Sequence, residues 1–118
     1  MWLAKVLAAA GAAAMLAGTA TAQVNTYNDQ LRKLDELHRG AVLRRAILDN
    51  GHRCGRVSQA HFQGPYRNLM MWTARCTTTA NSIGKGDFGV FIGRDGSVQV
   101  RPCGQMRQLK LPACAVLK

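Results

Sequence analysis

Four cysteines, three histidines and six carboxylates are the side chains of this 118-residue sequence from which chemistry could be built. Cys54, Cys76, Cys103 and Cys114 contain no Cys-x-x-Cys pair, and none stands in a motif with a histidine that would make it a nucleophile. Their expected use is cross-linking. His52 lies two residues before Cys54, a spacing that matches no zinc finger, and His38 and His61 stand alone, so neither a metal nor a cofactor is expected. Asp29, Asp35, Glu36 and Asp49 fall on or beside a helical stretch, while Asp87 and Asp95 occupy turn positions. No two of them are set up as an acid and a base, and Ser58, Ser82 and Ser97 lack the context of a nucleophile elbow. Gly84-Lys85-Gly86 lacks the spacing of a phosphate-binding loop. The chain reads as a non-enzyme.

Basic residues give the stronger signal. Sixteen Lys and Arg stand against six Asp and Glu, a formal net charge of +10. Such an excess draws a protein to anionic partners, whether acidic proteins, polyanions or lipid headgroups. Period-two alternation places Arg56, Met71, Arg75, Phe91, Gln99 and Arg101 on one side of a sheet, half apolar and half basic. An aromatic beside methionine and guanidinium groups is a candidate surface for an anionic protein or envelope component. The aromatics make no stacking platform, which argues against nucleic acid. Cover of Phe91 and Met71 by the C-terminal segment or the helical arm is the competing expectation.

The elements that must position this face centre on residues 70–103. Asp95-Gly96 between two apolar runs predicts a hairpin. A three-residue loop Arg94-Asp95-Gly96 sets Val90 opposite Val100 and Ile92 opposite Val98, and gathers Phe88, Val90, Ile92, Val98 and Val100 on one face. In the preceding run, Met70, Trp72, Ala74 and Cys76 share a side. A first strand is expected over Arg56 to Phe62, with a turn centred near Gly64-Pro65 that brings Cys54 opposite Cys76. Nearness pairs Cys103 with Cys114, leaving Cys54 with Cys76, although four cysteines allow three pairings and the spacing does not choose among them.

Residues 1–22 have the form of a secretory signal peptide: Lys5, an apolar run from Val6 to Leu16, and small residues before Gln23. The run is shorter than the roughly 20 residues that span a bilayer. Cleavage removes Lys5 alone among the charges and leaves residues 23–118, one small domain of formal charge +9 with no transmembrane segment, periplasmic or secreted, where disulfides persist. Residues 23–28 are expected to be a loose arm. Asn28 is expected to cap a helix through Leu31, Leu34, Leu37, Val42, Leu43, Ala46 and Ile47, ended by Asn50-Gly51; Gly40 is the point at which it would kink or divide, and Ala41 to Ile47 is its core-facing part. Residues 77–86 are expected to be an exposed loop, and a helical turn is expected between Gly104 and Leu111.

Gly64-Pro-Tyr-Arg-Asn-Leu-Met-Met-Trp72, Ala74-Arg-Cys76, Asp87-Phe-Gly-Val-Phe-Ile92, Asp95-Gly-Ser-Val-Gln-Val-Arg101, Cys103 and Leu109 to Cys114 resemble small exported bacterial proteins of uncharacterised function. A helix ahead of an antiparallel meander is similar in architecture to the PepSY-like periplasmic domains. The resemblance implies an inhibitory or interaction module and supplies no catalytic residue. The expectation is therefore an α+β domain, an N-terminal helical segment on a four-stranded antiparallel meander stapled by disulfides, acting as a non-catalytic binding or inhibitory module. A cationic protein held at the envelope surface by charge is the alternative, and a small thiol- or metal-dependent enzyme a distant one.

Overall fold

A computed structural model describes residues 24–118; the signal-peptide reading lies outside the described residues. Two helices, α1 (Thr26–Lys33) and α2 (Glu36–Asp49), precede four strands: β1 (Arg56–Tyr66), β2 (Leu69–Thr77), β3 (Gly86–Gly93) and β4 (Val98–Pro102). They form one antiparallel meander in the order β1-β2-β3-β4, followed by a 3-10 turn at Cys103–Gln105. Two disulfides, Cys54–Cys76 and Cys103–Cys114, close it. This is the expected α+β class, with the expected pairing of cysteines.

The β3–β4 hairpin has the expected register, Val90 opposite Val100 and Ile92 opposite Val98. The first hairpin differs. Its turn is Arg67-Asn68, and β1 runs through Pro65 to Tyr66. Gly64 and Pro65 take part in the ladder because an irregularity between Phe62 and Gly64 absorbs one residue, and Arg67 supplies the positive φ (56°) that the tight turn needs. Cys54 therefore precedes the strand, in which Val57 is the residue opposite Cys76.

The helical segment also begins and divides earlier than the sequence suggested. Asn25, not Asn28, is the cap: its side chain accepts the Asn28 N–H (2.9 Å) and donates to the Ile92 carbonyl (3.0 Å), so the expected loose arm is folded from Asn25 onward. The division falls at Leu34-Asp35 because Asp35 caps α2 by accepting the His38 N–H (2.8 Å). Arg39 then reaches back to the carbonyls of Leu31, Arg32 and Leu34, satisfying the C-terminal end of α1. Gly40 lies within α2, where a Cβ would press on the Val57 carbonyl, and so lets the helix approach β1 closely.

On the helical side of the sheet lies the main core: Leu31, Leu43, Ile47, Trp72, Ala74, Phe88, Val90, Ile92 and Val100, with both sulfurs of Cys54–Cys76. Of the expected core-facing stretch, Leu43 and Ile47 are buried but Ala41 and Val42 are exposed. Asn28 is buried for a reason its polarity conceals: its Oδ1 accepts the Trp72 indole N–H (2.7 Å), so the ring enters the core with its donor satisfied.

Candidate functional site

The opposite side of the sheet carries most of the residues picked out as a binding surface. Strand pairing sets Met71, Phe91 and Gln99 in one row and places Arg101 opposite Gly89. Arg75 stands between Gln59 and Asp87 in another row. Arg56 is apart from them, exposed at the start of β1, where it borders a groove against α2.

Met71 and Phe91 are not an open patch. Each is only 2 % exposed, in a second apolar cluster with Met106 onto which Tyr66, Leu69, Leu111 and Cys114 pack. The C-terminal segment forms this cover, because about 2 kcal/mol or more is available for each large apolar side chain removed from water. A Schellman-type turn shapes it: the Leu111 N–H donates to the Met106 carbonyl (2.9 Å), the Lys110 N–H donates to the Arg107 carbonyl (3.1 Å), and Lys110 takes φ 58°. The hydrophobic pair that accompanies such a turn is Met106 with Leu111, and both face the second cluster.

Beyond the turn, side chains of the sheet hold the tail. Gln63 donates to the Ala113 carbonyl (3.0 Å) and accepts the Ala115 N–H (2.9 Å), which also reaches the Thr73 hydroxyl (3.1 Å). The Gln63 carboxamide thus meets the peptide groups on either side of Cys114 as a parallel strand would. Thr73 and Gln63 are hydrogen bonded to each other, and Gln59 donates to the Lys118 carbonyl.

What remains accessible on this side is charge. Arg75 binds Asp87 through two parallel bonds, Nε to Oδ1 (2.8 Å) and Nη2 to Oδ2 (3.0 Å), and Asp87 holds the guanidinium even more firmly protonated than usual. Two open hollows flank the pair. One, of about 650 Å³, is lined by Arg75, Asp87, Lys85, Thr78 and Cys103; the other, of about 400 Å³, by Arg75, Asp87, Arg107, Cys103 and Cys114. Asp87 is no mere turn residue; the β2–β3 register would have found it, since it stands directly opposite Arg75. Lys85 and Arg107 had no periodic signal because both lie in loops.

The other groups that could do chemistry are dispersed. His38 is bonded to the Asp35 carboxylate (2.8 Å), His52 packs tilted against Phe88 (5.1 Å between centroids), and His61 is exposed opposite Thr73. All four cysteines are in bridges, and among the described residues no three His, Cys, Asp or Glu side chains gather as a metal site. No described helix is long and apolar enough to cross a membrane. Comparison with protein-family models, with curated proteins and with solved structures finds no match to the chain.

Proposed function

We propose that the protein is an exported, non-catalytic binding module, of the interaction or inhibitory kind, whose second sheet side receives an anionic partner. The observation that carries this reading is the imbalance at the surface. Among the described residues the pairings of carboxylates with basic side chains are Asp35 with the His38 ring, Asp49 with Arg45, and Asp87 with Arg75. Lys85, Arg101 and Arg107 enter none of them, and Lys85 and Arg107 stand at the hollows beside Arg75. Guanidinium groups take carboxylates, sulfates and phosphates in forked geometry, and a lysine at the rim adds attraction at longer range. Two cystines fit an oxidising compartment, which supports the exported reading of residues 1–22.

Because Phe91 and Met71 are covered, the recognition proposed is more electrostatic than the sequence suggested. That favours the second reading, association with an anionic envelope polymer or headgroup surface by charge. Retention on a sulfated polysaccharide and on vesicles containing anionic lipid, measured across a salt series, tests both. The double reversal Lys85→Glu, Arg107→Glu should remove most retention at about 0.15 M salt while thermal unfolding is unchanged. Equal loss from reversing Arg45 and Arg94, remote from the hollows, would mean general charge and not this site. Absence of retention in the unmodified protein would end the anionic-partner reading.

A further inference from the structure

We infer that Cys103–Cys114 is a thiol-exchange site, a reducible clasp through which a dithiol opens the C-terminal cover of the sheet, while Cys54–Cys76 is inaccessible to the same reagent. The two bridges differ first in access. Cys54 and Cys76 are each 1 % exposed within the main core. Cys103 and Cys114 are partly exposed, and Cys103 lines both hollows; Cys76 also borders the larger one but is only 1 % exposed. Exchange requires a thiolate to reach one sulfur, which only the second bridge permits.

They differ next in charge. The hollows that lead to Cys103 are lined by Arg75, Lys85 and Arg107 against the single carboxylate of Asp87. An incoming thiolate is an anion, so this surround draws it in and favours the thiolate that leaves. The first thiolate of the dithiol attacks Cys103 Sγ, forming a mixed disulfide and expelling Cys114 as a thiolate that takes a proton from water. The second thiol of the reagent then closes on the mixed bond and frees Cys103. Two electrons and two protons pass to the bridge, and the dithiol ends as a disulfide.

Opening has a structural consequence. The bridge spans 11 positions and encloses Met106 and Leu111, the residues that lie on Met71 and Phe91. Without that closure the cover is held by Gln59, Gln63, Thr73 and side-chain packing, and it should open about a hundredfold more often on the loop-entropy account. A protein with its clasp intact hides the second apolar layer; a reduced one presents it intermittently.

The test uses the full, doubly bridged protein with 2-mercaptoethanesulfonate and cysteamine, an anionic and a cationic monothiol, followed by alkylation and peptide mapping. A second molecule of each takes the place of the dithiol's second thiol in resolving the mixed disulfide, and rates are compared per thiolate. Cys103 and Cys114 should be alkylated about tenfold or more faster than Cys54 and Cys76, with the Trp72-rich core emission unchanged, and the anionic thiol should show the larger rate at low salt. Lys85→Gln, Arg107→Gln should erase the preference between thiols. Trypsin should then cut after Arg107 or Lys110 faster in the reduced form, and the double variant Cys103→Ser, Cys114→Ser should match that rate without any reductant. Simultaneous opening of both bridges, prior opening of Cys54–Cys76, or equal rates for the two thiols would overturn the inference. None of these readouts involves an anionic partner, so its failure and that of the proposed function are distinguishable.

Discussion

The two sides of the sheet are covered in physically different ways. On the helical side α2 comes close, since a Cβ at Gly40 would press on the Val57 carbonyl, and at the end of the sheet beside Cys54 backbone meets backbone: a Cβ at Gly55 would strike the Thr77 carbonyl and one at Gly84 the Cys54 amide. Arg44 adds bonds to the carbonyls of Cys54 and Gly55 (2.9 and 3.0 Å). On the other side the cover is a strap, and its central contact is Met106 on Met71 and Phe91. Thioethers adapt where fixed backbones do not. One side of the sheet is therefore specified by shape and the other by a tether, and local opening should be concentrated in the second.

Removing each bridge is the severest way to test this contrast. Loop entropy alone separates them little, by about 0.6 kcal/mol for spans of 22 and 11 positions. Packing should separate them much more. The pair Cys54→Ala, Cys76→Ala leaves a void in the main core and should cost about 4–5 kcal/mol in denaturant unfolding, enough to unfold a domain of this size at elevated temperature. Cys103→Ser, Cys114→Ser should cost about 2–3 kcal/mol and leave the helical side intact by near-ultraviolet dichroism. Equal costs would mean that the strap is as integral as the core.

Glycine substitutions sharpen the same difference at single atoms. Gly55→Ala forces a methyl against an immovable carbonyl and should cost about 3 kcal/mol or more. Gly89→Ala meets the terminal methyl of Met106, with Met71 also near. That methyl can swing away, so the expected cost is about 1 kcal/mol or less, and the displaced strap should show faster tryptic cleavage at Arg107. A heavy penalty at Gly89 would show that the second layer is packed as rigidly as the first.

Next in size are the buried polar contacts. Asn28→Ala strands the Trp72 indole N–H in the core and should cost about 2 kcal/mol, with a change in tryptophan emission. Thr73→Val on the other side removes a hydroxyl bonded to Gln63 and Ala115, and Gln63 keeps its own bonds to the tail. Its expected cost is about 1 kcal/mol.

The alternation of Phe88, Val90, Ile92, Val98 and Val100 around Asp95-Gly96 was legible because a period of two and a left-handed turn residue constrain register locally. Short separation pointed to Cys103–Cys114 and left Cys54 with Cys76; the register expected to set Cys54 opposite Cys76 did not hold, since Val57 takes that place. Asn25 and Asn28 were not: two asparagines in adjacent turns are equal cap candidates until it is known that one must receive an indole N–H. Gly64-Pro65 misplaced the first turn because a bulge at Gln63 shifts the ladder by one residue and both pair within it, while Arg67, with no glycine to advertise it, adopts the positive φ. At the candidate site, the side of the sheet was right for Met71, Phe91, Arg75, Gln99 and Arg101. Exposure was not right for Met71 and Phe91, for which the competing expectation, cover by the C-terminal segment, holds; that segment has no periodicity, and its path follows from Cys103–Cys114 and a Schellman turn at Lys110. Arg75 lost much of its freedom to Asp87, a pairing that only cross-strand register reveals.

The smallest expected effect concerns acid. The His38 backbone N–H, and then the His38 ring, hold the Asp35 carboxyl below its ordinary value, and at the β3–β4 turn the Ser97 hydroxyl and N–H do the same for Asp95. A carboxyl depressed in the folded state contributes stability that is present above its unfolded pKa and is lost as pH falls through the folded one. Asp35 is exposed, so this contribution is screened and modest. It is also local, since what weakens is the start of α2, on the helical side. Asp35→Asn keeps an acceptor for the His38 N–H but no longer titrates. Helical dichroism followed from about pH 7 to about pH 2 should therefore decline less steeply in the variant, with neutral-pH stability nearly unchanged. Peptic cleavage at Leu109 of the strap, followed at about pH 2, should be the same in both, because the strap is tied by sulfur and side-chain amides that do not titrate in this range. A strap that loosened with acid in the wild type alone would couple the two sides of the sheet and break the separation drawn between them.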